Sequence, residues 1–307
     1  MKACIDIGGT KVAVSLNAGA GLELEARRNE PTAKTGNNDA LAVQVMRMVD
    51  EACAEIGADP QSITRAGVSS CGPFVMRDGL IEVAAPNICG GLAGPLRGLP
   101  NDWQTALLEA PLRERFEEVR VENDCIAALE AERRWGALQG FDHCAYVTWS
   151  TGIGVGLCVD GRILRGKNGN AGHAGHMFVS DNDDALCGCG NIGDVEALIA
   201  GNAMERRFGA DAATLLQRAQ QGDAAAQAVV DDLCRVMGRA LYNLVCTLDL
   251  QRISLGGSVF WNNRGYLLPK LQQQLEGKLP ALTAGCELVG AGLENRVGDY
   301  AALALLV

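Results

Sequence analysis

Three glycine-rich turns, each directly after an apolar run that reads as a strand, are the first feature that points to chemistry. They are residues 8–11, residues 150–156 and residues 256–257. In such turns the backbone N–H groups converge on phosphate oxygens, or a flat ring approaches the backbone. Asp6 is suited to bind Mg²⁺, and Lys11 adds a positive charge. The first turn lacks the spacing of a P-loop, and each turn taken alone is equally compatible with an ordinary connection.

Asn123 and Asp124 lie where a predicted strand meets a predicted helix. A carboxylate at such a junction is suited to accept the proton of a hydroxyl group that attacks a phosphoryl group. Asn and Asp are also the preferred N-cap residues of helices. The pair therefore supports two readings, a catalytic base and a helix cap.

A third group combines histidines, cysteines and acids. Two of the three histidines are His173 and His176, and they precede Cys187, Cys189, Asp194 and Glu196. His176, Cys187, Cys189 and Asp194 are a possible four-ligand Zn²⁺ site, because the close C-x-C pair favours a metal over a disulfide. Asp is a weaker zinc ligand than a thiolate, so a loop without metal is the alternative.

The elements that must position these residues follow from hydrophobic periodicity. We expect strands at 3–7, 12–16, 65–70, 118–122 and 252–256, and helices at 38–57, from 124 to about 138, and at 194–207, 211–219, 223–249 and 297–306. The irregular stretch from 85 to 103 is long enough to be functional or mobile.

Residues 4–16 and 147–159 form a partial internal repeat with an offset of 143, in which Gly9 aligns with Gly152. Both segments read as strand, glycine turn, strand. The repeat predicts two related α/β halves with a cleft between them, and the alternative is a chance similarity between two glycine hairpins.

Composition limits the class of protein. The chain has 307 residues, 48% of them hydrophobic, and a formal net charge of −10. The acidic charge argues against a nucleic-acid partner. Neither a signal peptide nor an apolar run of membrane-spanning length is found, so we expect a cytoplasmic protein without a membrane partner. Most of the twelve cysteines stand singly in apolar runs, which is typical of buried thiols rather than disulfides.

Taken together, these motifs resemble the ROK family (repressor, open reading frame, kinase) of sugar kinases and repressors. Residues 6–11 match the family's first phosphate motif, D-x-G-x-T-K, and residues 150–156 match the second. Asn123 and Asp124 match the sugar-binding Asn and the catalytic Asp. Residues 173–176 (H-A-G-H) match E-x-G-H, and residues 187–196 match C-x-C-G-x-x-G-C-x-E, whose Glu also binds sugar.

The resemblance implies an actin-like (ribonuclease-H-like) two-domain α/β fold with an interdomain cleft, ATP with Mg²⁺, structural Zn²⁺ and a homodimer. The smaller domain would contain residues 1–122 and 297–307, and the larger one residues 123–296. The implied sugar-binding residues are Asn87, Asn123, Asp124, His173, His176 and Glu196, with Asp124 as the catalytic residue. The implied ATP-binding residues are Asp6, Gly8, Gly9, Thr10, Lys11, Thr151, Gly152, Gly154, Gly256 and Gly257.

Two positions depart from the family pattern. His173 replaces the Glu that receives hydrogen bonds from sugar hydroxyls near C1 and C2, and Asp194 replaces the third cysteine of the zinc motif. A neutral imidazole has one donor and one acceptor, so the sugar preference is open. We expect a kinase for the 6-hydroxyl of a hexose, glucose first. The alternative kinase substrate is an amino sugar (N-acetylmannosamine, N-acetylglucosamine or kanosamine).

Two non-kinase roles are also consistent with the resemblance. A sugar-binding regulator without catalysis is one, although Asp6, Lys11 and Asp124 are all present. A repressor is the other, but it requires an N-terminal helix-turn-helix domain, whereas the first strand is expected to begin by residue 3.

Overall fold

The computed structural model describes residues 1–19, 21–93, 98–180 and 185–307, and residues 94–97 of the long irregular stretch lie outside this description. Strands and helices are mixed along the chain, which confirms the predicted α/β class. The chain divides into two compact units. Unit 1 comprises Met1–Ala131, Arg165–Ala171 and Gly298–Val307, and unit 2 comprises Glu132–Leu164 and Gly172–Val297.

Unit 1 is built on a five-stranded sheet. Its elements are β1 (Lys2–Ile7), β2 (Lys11–Asn17), β3 (Glu25–Pro31), α1 (Ala40–Ile56), β4 (Arg65–Ser70), β5 (Phe74–Arg77), β6 (Leu80–Val83), α2 (Gly90–Ala93), β7 (Ala106–Leu107), α3 (Glu109–Arg115), β8 (Glu118–Asn123) and most of α4 (Asp124–Trp135). The sheet order is β3-β2-β1-β4-β8, with β1 antiparallel to β2 and parallel to β4. A small sheet, β5-β6-β7, completes the unit.

Unit 2 has a five-stranded sheet of its own. Its elements are β9 (Cys144–Trp149), β10 (Ile153–Val159), β11 (Arg162–Ile163), α5 (Val195–Ile199), α6 (Gly201–Phe208), α7 (Ala212–Gln220), α8 (Ala224–Leu248), β12 (Arg252–Gly256), α9 (Ser258–Trp261), α10 (Arg264–Leu275), α11 (Pro280–Thr283) and β13 (Glu287–Gly290). The order is β11-β10-β9-β12-β13. Helix α12 (Val297–Ala304) follows and lies almost wholly in unit 1.

The two five-stranded sheets have the same topology. In each, an antiparallel hairpin comes first, a third strand pairs antiparallel with the second, and two later strands add in parallel beside the first. Gly9 lies in the β1–β2 turn and Gly152 in the β9–β10 turn, as their alignment in the repeat requires. The shared topology supports the internal repeat over a chance similarity.

Most predicted elements lie within two residues of their expected bounds, because their apolar periodicity reflects real burial. The predicted stripe of α1, formed by Leu41, Val45, Met48, Val49 and Ala52, is completely buried. None of the helices among the described residues combines the length and apolar character needed to cross a membrane.

The predicted continuous helix over 194–207 is wrong, because the chain turns at Ala200 (φ −66°, ψ 151°) between α5 and α6. Two hydrogen bonds hold the turn. Trp149 Nε1 donates to the carbonyl of Ile199 (2.8 Å), and the N–H of Gly201 donates to the carbonyl of Ser150 (2.8 Å). Tertiary contacts with the β9–β10 turn therefore override the helical periodicity. Helix α4 is also shorter than expected and ends at Trp135.

The boundary between the units differs from the division expected from sequence at residue 122. Unit 1 continues into α4 as far as Ala131 and includes Arg165–Ala171. This segment is tied to unit 1 by the side-chain amide of Asn170, which bonds the backbone N–H (2.7 Å) and carbonyl (2.8 Å) of Phe74. An ion pair between Arg165 and Glu122 adds a second link.

Candidate active site

The predicted first phosphate loop, residues 8–11, is a tight hairpin turn between β1 and β2. The N–H of Gly8 donates to the carbonyl of Lys11 (2.8 Å), and Thr32 Oγ1 donates to the carbonyl of Gly8 (2.7 Å). Thr10 and Lys11 are exposed. These two hydrogen bonds hold the loop in place, and Thr10 and Lys11 stay accessible to a phosphate group.

Asp6 and Asp124 are two carboxylates that influence each other within unit 1. Burial first, and then the negative charge of Asp124, raises the pKa of Asp6 to about 6, although Ser69 Oγ donates a hydrogen bond to it (3.3 Å). Strands β1, β4 and β8 run parallel, and Asp6 lies near their shared carboxyl-terminal edge. Asp6 pairs in register with Ser69, and Ser70 pairs with Asn123, which immediately precedes Asp124. A pair of carboxylates at one sheet edge fits a hard cation such as Mg²⁺.

Asn123 and Asp124 combine the two readings that their sequence position allowed. Asn123 is buried, and its side-chain carbonyl accepts the N–H of Cys125 (3.0 Å), as a helix cap does. Asp124 begins α4, and its carboxylate accepts the same N–H (2.8 Å) while the residue stays exposed. Asn123 therefore holds the junction, and the carboxylate of Asp124 is accessible at the positive end of the helix.

Cys71 is a neighbour of these carboxylates that the sequence-based site did not include. Burial, followed by the charges of Asp124 and Asp6, raises the pKa of its thiol above the usual range. Its backbone N–H donates to the carbonyl of Ile7 (2.8 Å), which extends the pairing of β1 and β4 by one residue. The run Ser69-Ser70-Cys71 at the carboxyl end of a parallel strand was the signal that could have identified it.

Asn87 projects from the stretch between 85 and 103, which is organised by Asn101. The Asn101 side chain accepts the N–H groups of Gly90 (2.7 Å) and Trp103 (3.1 Å). It also donates to the carbonyls of Lys34 (2.9 Å) and Ile88 (3.0 Å), so all its hydrogen-bonding capacity is used. Asn87 is exposed and lies against Gly9 of the first phosphate loop.

The second phosphate loop, between β9 and β10, is held by the start of α6 and by α9. The N–H of Asn202 donates to the carbonyl of Thr151 (3.2 Å), and the hydroxyls of Ser150 and Ser258 are 2.9 Å apart. Gly257 adopts φ +86°, and a Cβ there would lie 2.5 Å from the carbonyl oxygen of Trp149. The glycine turn at 256–257 therefore packs directly against the end of β9, where the turn at 150–152 begins.

Glu196 contacts both the predicted second phosphate loop and the loop that carries Cys187 and Cys189, here called the cysteine loop. Its Oε2 accepts the N–H of Ile153 (3.1 Å), and its Oε1 lies 3.9 Å from the sulfur of Cys187. His173 and His176 flank a short 3₁₀ turn, with ring centroids 6.3 Å apart. His173, His176 and Glu196 all belong to unit 2, whereas Asn87, Asn123 and Asp124 belong to unit 1.

The predicted zinc ligands come together. The ligand atoms of His176, Cys187, Cys189 and Asp194 all lie within 4.8 Å of one another. His176 Nδ1 is 3.2 Å from Asp194 Oδ2 and 3.7 Å from Cys187 Sγ, and Cys189 Sγ is 3.5 Å from the same oxygen of Asp194. The other oxygen of Asp194 caps α5 by accepting the N–H of Ala197 (2.7 Å). Two sulfurs, one imidazole and one carboxylate at this spacing fit a tetrahedral Zn²⁺ ion.

Electrostatics in this cluster follow from the contacts. The hydrogen bond to Asp194 is the main reason that the pKa of His176 is raised. Burial alone would raise the pKa of Asp194, but the bonds from His176 and Ala197 hold it below its usual value. Burial raises the pKa of the Cys187 thiol, so binding of a metal there would release a proton.

Comparisons with known proteins identify the family of this chain. The ROK family model matches residues 2–306. The glucokinase of Aeropyrum pernix is 28% identical over 98% of this chain and 95% of its own length. The N-acetylmannosamine kinase of Shigella boydii is 34% identical over 83% of this chain and 82% of its own length.

Solved structures are similar over almost the whole chain. A ROK hexokinase from Thermus thermophilus is 32% identical with a TM-score of 0.75, covering 98% of this chain and 96% of that chain. A ROK glucokinase from Streptomyces griseus, solved with glucose and AMPPNP, is 25% identical with a TM-score of 0.73, covering 98% and 97%. The predicted actin-like two-domain fold is thereby confirmed. This chain belongs to the ROK family.

Proposed function

We propose that this chain transfers the γ-phosphoryl group of ATP to the 6-hydroxyl of a hexose, with glucose as the first candidate. The chain is an ATP-dependent sugar kinase, as its glucokinase and N-acetylmannosamine kinase relatives indicate. The observation that carries the finer proposal is the carboxylate pair of Asp6 and Asp124, in the same unit as the first phosphate loop and sharing one electrostatic environment.

Asp124 is the proposed catalytic base. The sugar oxygen attacks the γ-phosphorus, the bond from that phosphorus to the bridging oxygen breaks, and ADP leaves with the electron pair. The hydroxyl proton passes to the exposed carboxylate of Asp124, which Asn123 steadies by capping α4. Mg²⁺, when bound, would neutralise charge on the phosphates, and Asp6 is the residue that would hold it directly or through water.

The phosphates are proposed to bind the glycine turns. Gly8, Gly9, Thr10 and Lys11 form the first turn, and Thr151, Gly152 and Gly154 belong to the second. Gly256 and Gly257, at the end of β12, are proposed to lie close to the nucleoside. Raised KM values for ATP after substitution of Thr10 or Thr151 by Val would support these roles.

Asn87, Asn123, His173, His176 and Glu196 are the proposed sugar ligands beside Asp124. His173 favours a second candidate, an amino-sugar kinase, because an imidazole N–H can donate to an acetamido carbonyl whereas a glutamate carboxylate cannot. A panel of glucose, N-acetylmannosamine, N-acetylglucosamine and kanosamine in a coupled ADP-release assay separates the two. Activity only on the acetylated sugars would replace glucose by an N-acetylated amino sugar as the proposed substrate. No activity on any sugar would favour the non-catalytic regulator.

A structural Zn²⁺ ion held by His176, Cys187, Cys189 and Asp194 is proposed for unit 2. The ion would fix the cysteine loop beside Glu196, and it would leave the second ring nitrogen of His176 for the sugar. Elemental analysis of the purified protein should find about one zinc per chain, since the four donors match one site. The Asp194→Ala variant should contain less, and a wild-type protein free of zinc after growth in zinc-supplemented medium would contradict the assignment.

Further expectations stay proposals. We propose a cytoplasmic homodimer without a nucleic-acid or membrane partner, and sedimentation equilibrium would measure its mass. The domain division into residues 1–122 with 297–307 and residues 123–296 is likewise a proposal, and limited proteolysis would map the boundary.

A further inference from the structure

The two repeat-related glycines, Gly9 and Gly152, each lie under the side chain of a proposed sugar ligand. A Cβ atom built on Gly9 would lie 1.9 Å from Asn87 Nδ2 and 2.5 Å from Asn87 Cγ. A Cβ atom built on Gly152 would lie 2.7 Å from Glu196 Oε2. Real Cβ atoms do not approach other heavy atoms this closely, so each glycine provides space that the neighbouring side chain occupies.

Backbone conformation does not explain these glycines. Neither Gly9 nor Gly152 has a positive φ, whereas Gly257 in the third turn does. A left-handed backbone conformation is therefore not the reason for glycine at the first two positions. The requirement for glycine there is therefore one of space, and the space is taken by Asn87 or Glu196.

The obstructing atoms are the ends of side chains rather than backbone. Asn87 is carried by a stretch that the saturated hydrogen bonds of Asn101 hold in place, and Glu196 is held by its bond to the N–H of Ile153. A methyl group on either glycine would push the amide or carboxylate aside while leaving the loop backbone intact. The expected defect is a displaced ligand in a folded protein.

We propose that Gly9 and Gly152 are positioning residues for the sugar, in addition to being part of the phosphate loops. In each half of the repeat, one proposed sugar ligand packs directly against a glycine of the proposed phosphate loop. The contact between Asn87 and Gly9 and the contact between Glu196 and Gly152 thereby couple the sugar site to the nucleotide site. This inference rests on the proposed sugar-kinase function.

The test compares Gly9→Ala with Gly8→Ala in the same loop. A Cβ on Gly8 would meet only the carbonyl oxygen of Lys11, at 3.3 Å, and no sugar ligand. Steady-state KM values for the preferred hexose and for ATP are measured for both variants, for Asn87→Ala and for the Gly9→Ala/Asn87→Ala double variant. Circular dichroism and the melting temperature establish that each variant folds.

We expect Gly9→Ala to raise the KM for sugar about tenfold, because a displaced ligand loses its alignment with the substrate. Gly8→Ala should change the KM for ATP and leave that for sugar within about twofold. In the Asn87→Ala background, Gly9→Ala should add less than about a twofold effect on the KM for sugar.

Two results would overturn the inference. One is a Gly9→Ala variant that raises only the KM for ATP, and the other is a double variant in which the two effects on sugar multiply. If Gly9→Ala does not fold, Gly152→Ala with Glu196→Ala provides the same cycle in unit 2. A wild-type protein inactive on every sugar tested would instead overturn the proposed function, so the two failures are distinguishable.

Discussion

Asp6 is the residue whose environment most directly reports the chemistry of unit 1. Its pKa of about 6 lies above the ordinary value of 3.8, first because of burial and then because of Asp124. A charged Asp6 beside Asp124 is thus unfavourable in the absence of a cation. The same arrangement makes the site ready for a divalent metal, since a cation removes the repulsion.

This environment predicts a pH dependence of stability in metal-free protein. Because the folded-state pKa of Asp6 is raised, the folded state binds more protons than the unfolded state between about pH 4 and 6. The contribution of Asp6 to the free energy of unfolding should therefore fall as the pH rises through this window. Urea unfolding of wild type and Asp6→Asn in EDTA measures it, and equal pH slopes in the two proteins would refute the prediction.

Glu132 illustrates a residue whose role is structural. Its side chain is fully buried, and its carboxylate accepts four hydrogen bonds, from the N–H groups of Ala137 (3.0 Å), Gly292 (2.9 Å) and Leu293 (2.8 Å) and from Ser254 Oγ (3.0 Å). The Glu132→Gln variant would bring an NH₂ group against N–H donors. It should lose about 3 kcal/mol of unfolding free energy.

Urea unfolding with Glu117→Gln as control checks this prediction, because Glu117 is exposed. The control should stay within about 0.5 kcal/mol of wild type. A Glu132→Gln protein as stable as the control would mean that the four hydrogen bonds contribute little to the fold.

At the scale of elements, α12 packs on strand β4, beside the central strand β1 of the unit 1 sheet. A Cβ on Gly67 of β4 would lie 2.1 Å from the carbonyl oxygen of Ala302 in α12. Gly67→Ala should therefore force strand and helix apart and lower the free energy of unfolding by about 1–3 kcal/mol.

Gly298 in α12 is the matched control, since a Cβ there would meet no atom of the described residues within 4 Å. Gly298→Ala should stabilise the protein by about 0.5 kcal/mol through helix propensity and a less flexible unfolded chain. Thermal melts of both variants give the comparison. A Gly67→Ala protein that melts at or above the wild-type temperature would disprove close packing of α12 on β4.

The elements that could be predicted best are those that a single local sequence signal determines. The periodic stripe of α1 and the glycine turns after β1, β9 and β12 were read correctly, because burial and turn geometry leave local patterns. The break at Ala200 was missed because two hydrogen bonds between residues far apart in sequence cause it. Trp149 donates to Ile199, and Gly201 donates to Ser150. The role of Asn101 was missed for the same reason, whereas Cys71 ends a local run, Ser69-Ser70-Cys71, that could have indicated it.

At the scale of the whole molecule, the repeated sheet topology accounts for the two predicted phosphate loops, because each follows the first strand of its sheet. The zinc-ligand cluster could be predicted because its four residues lie within 19 positions, His176 to Asp194. The contact between Asn87 and Gly9 joins residues that are 78 positions apart in sequence (87 − 9), so it is visible only in the folded chain.

The net charge of −10 is also a property of the whole chain. We expect no detectable binding to random duplex DNA at about 0.15 M salt, because no excess of basic residues is available to replace condensed counterions. An electrophoretic mobility shift assay measures it. Salt-sensitive binding of DNA would instead support the repressor role that the family resemblance also allows.

The role of Asp124 is tested most directly by the turnover of Asp124→Asn. The amide keeps the shape of the side chain and can still accept the N–H of Cys125, so sugar binding measured by calorimetry should stay close to wild type. Because the amide cannot take the hydroxyl proton, kcat in a coupled ADP-release assay should fall by about 10²–10⁴-fold. A kcat within about threefold of wild type would contradict the assignment of Asp124 as the catalytic base.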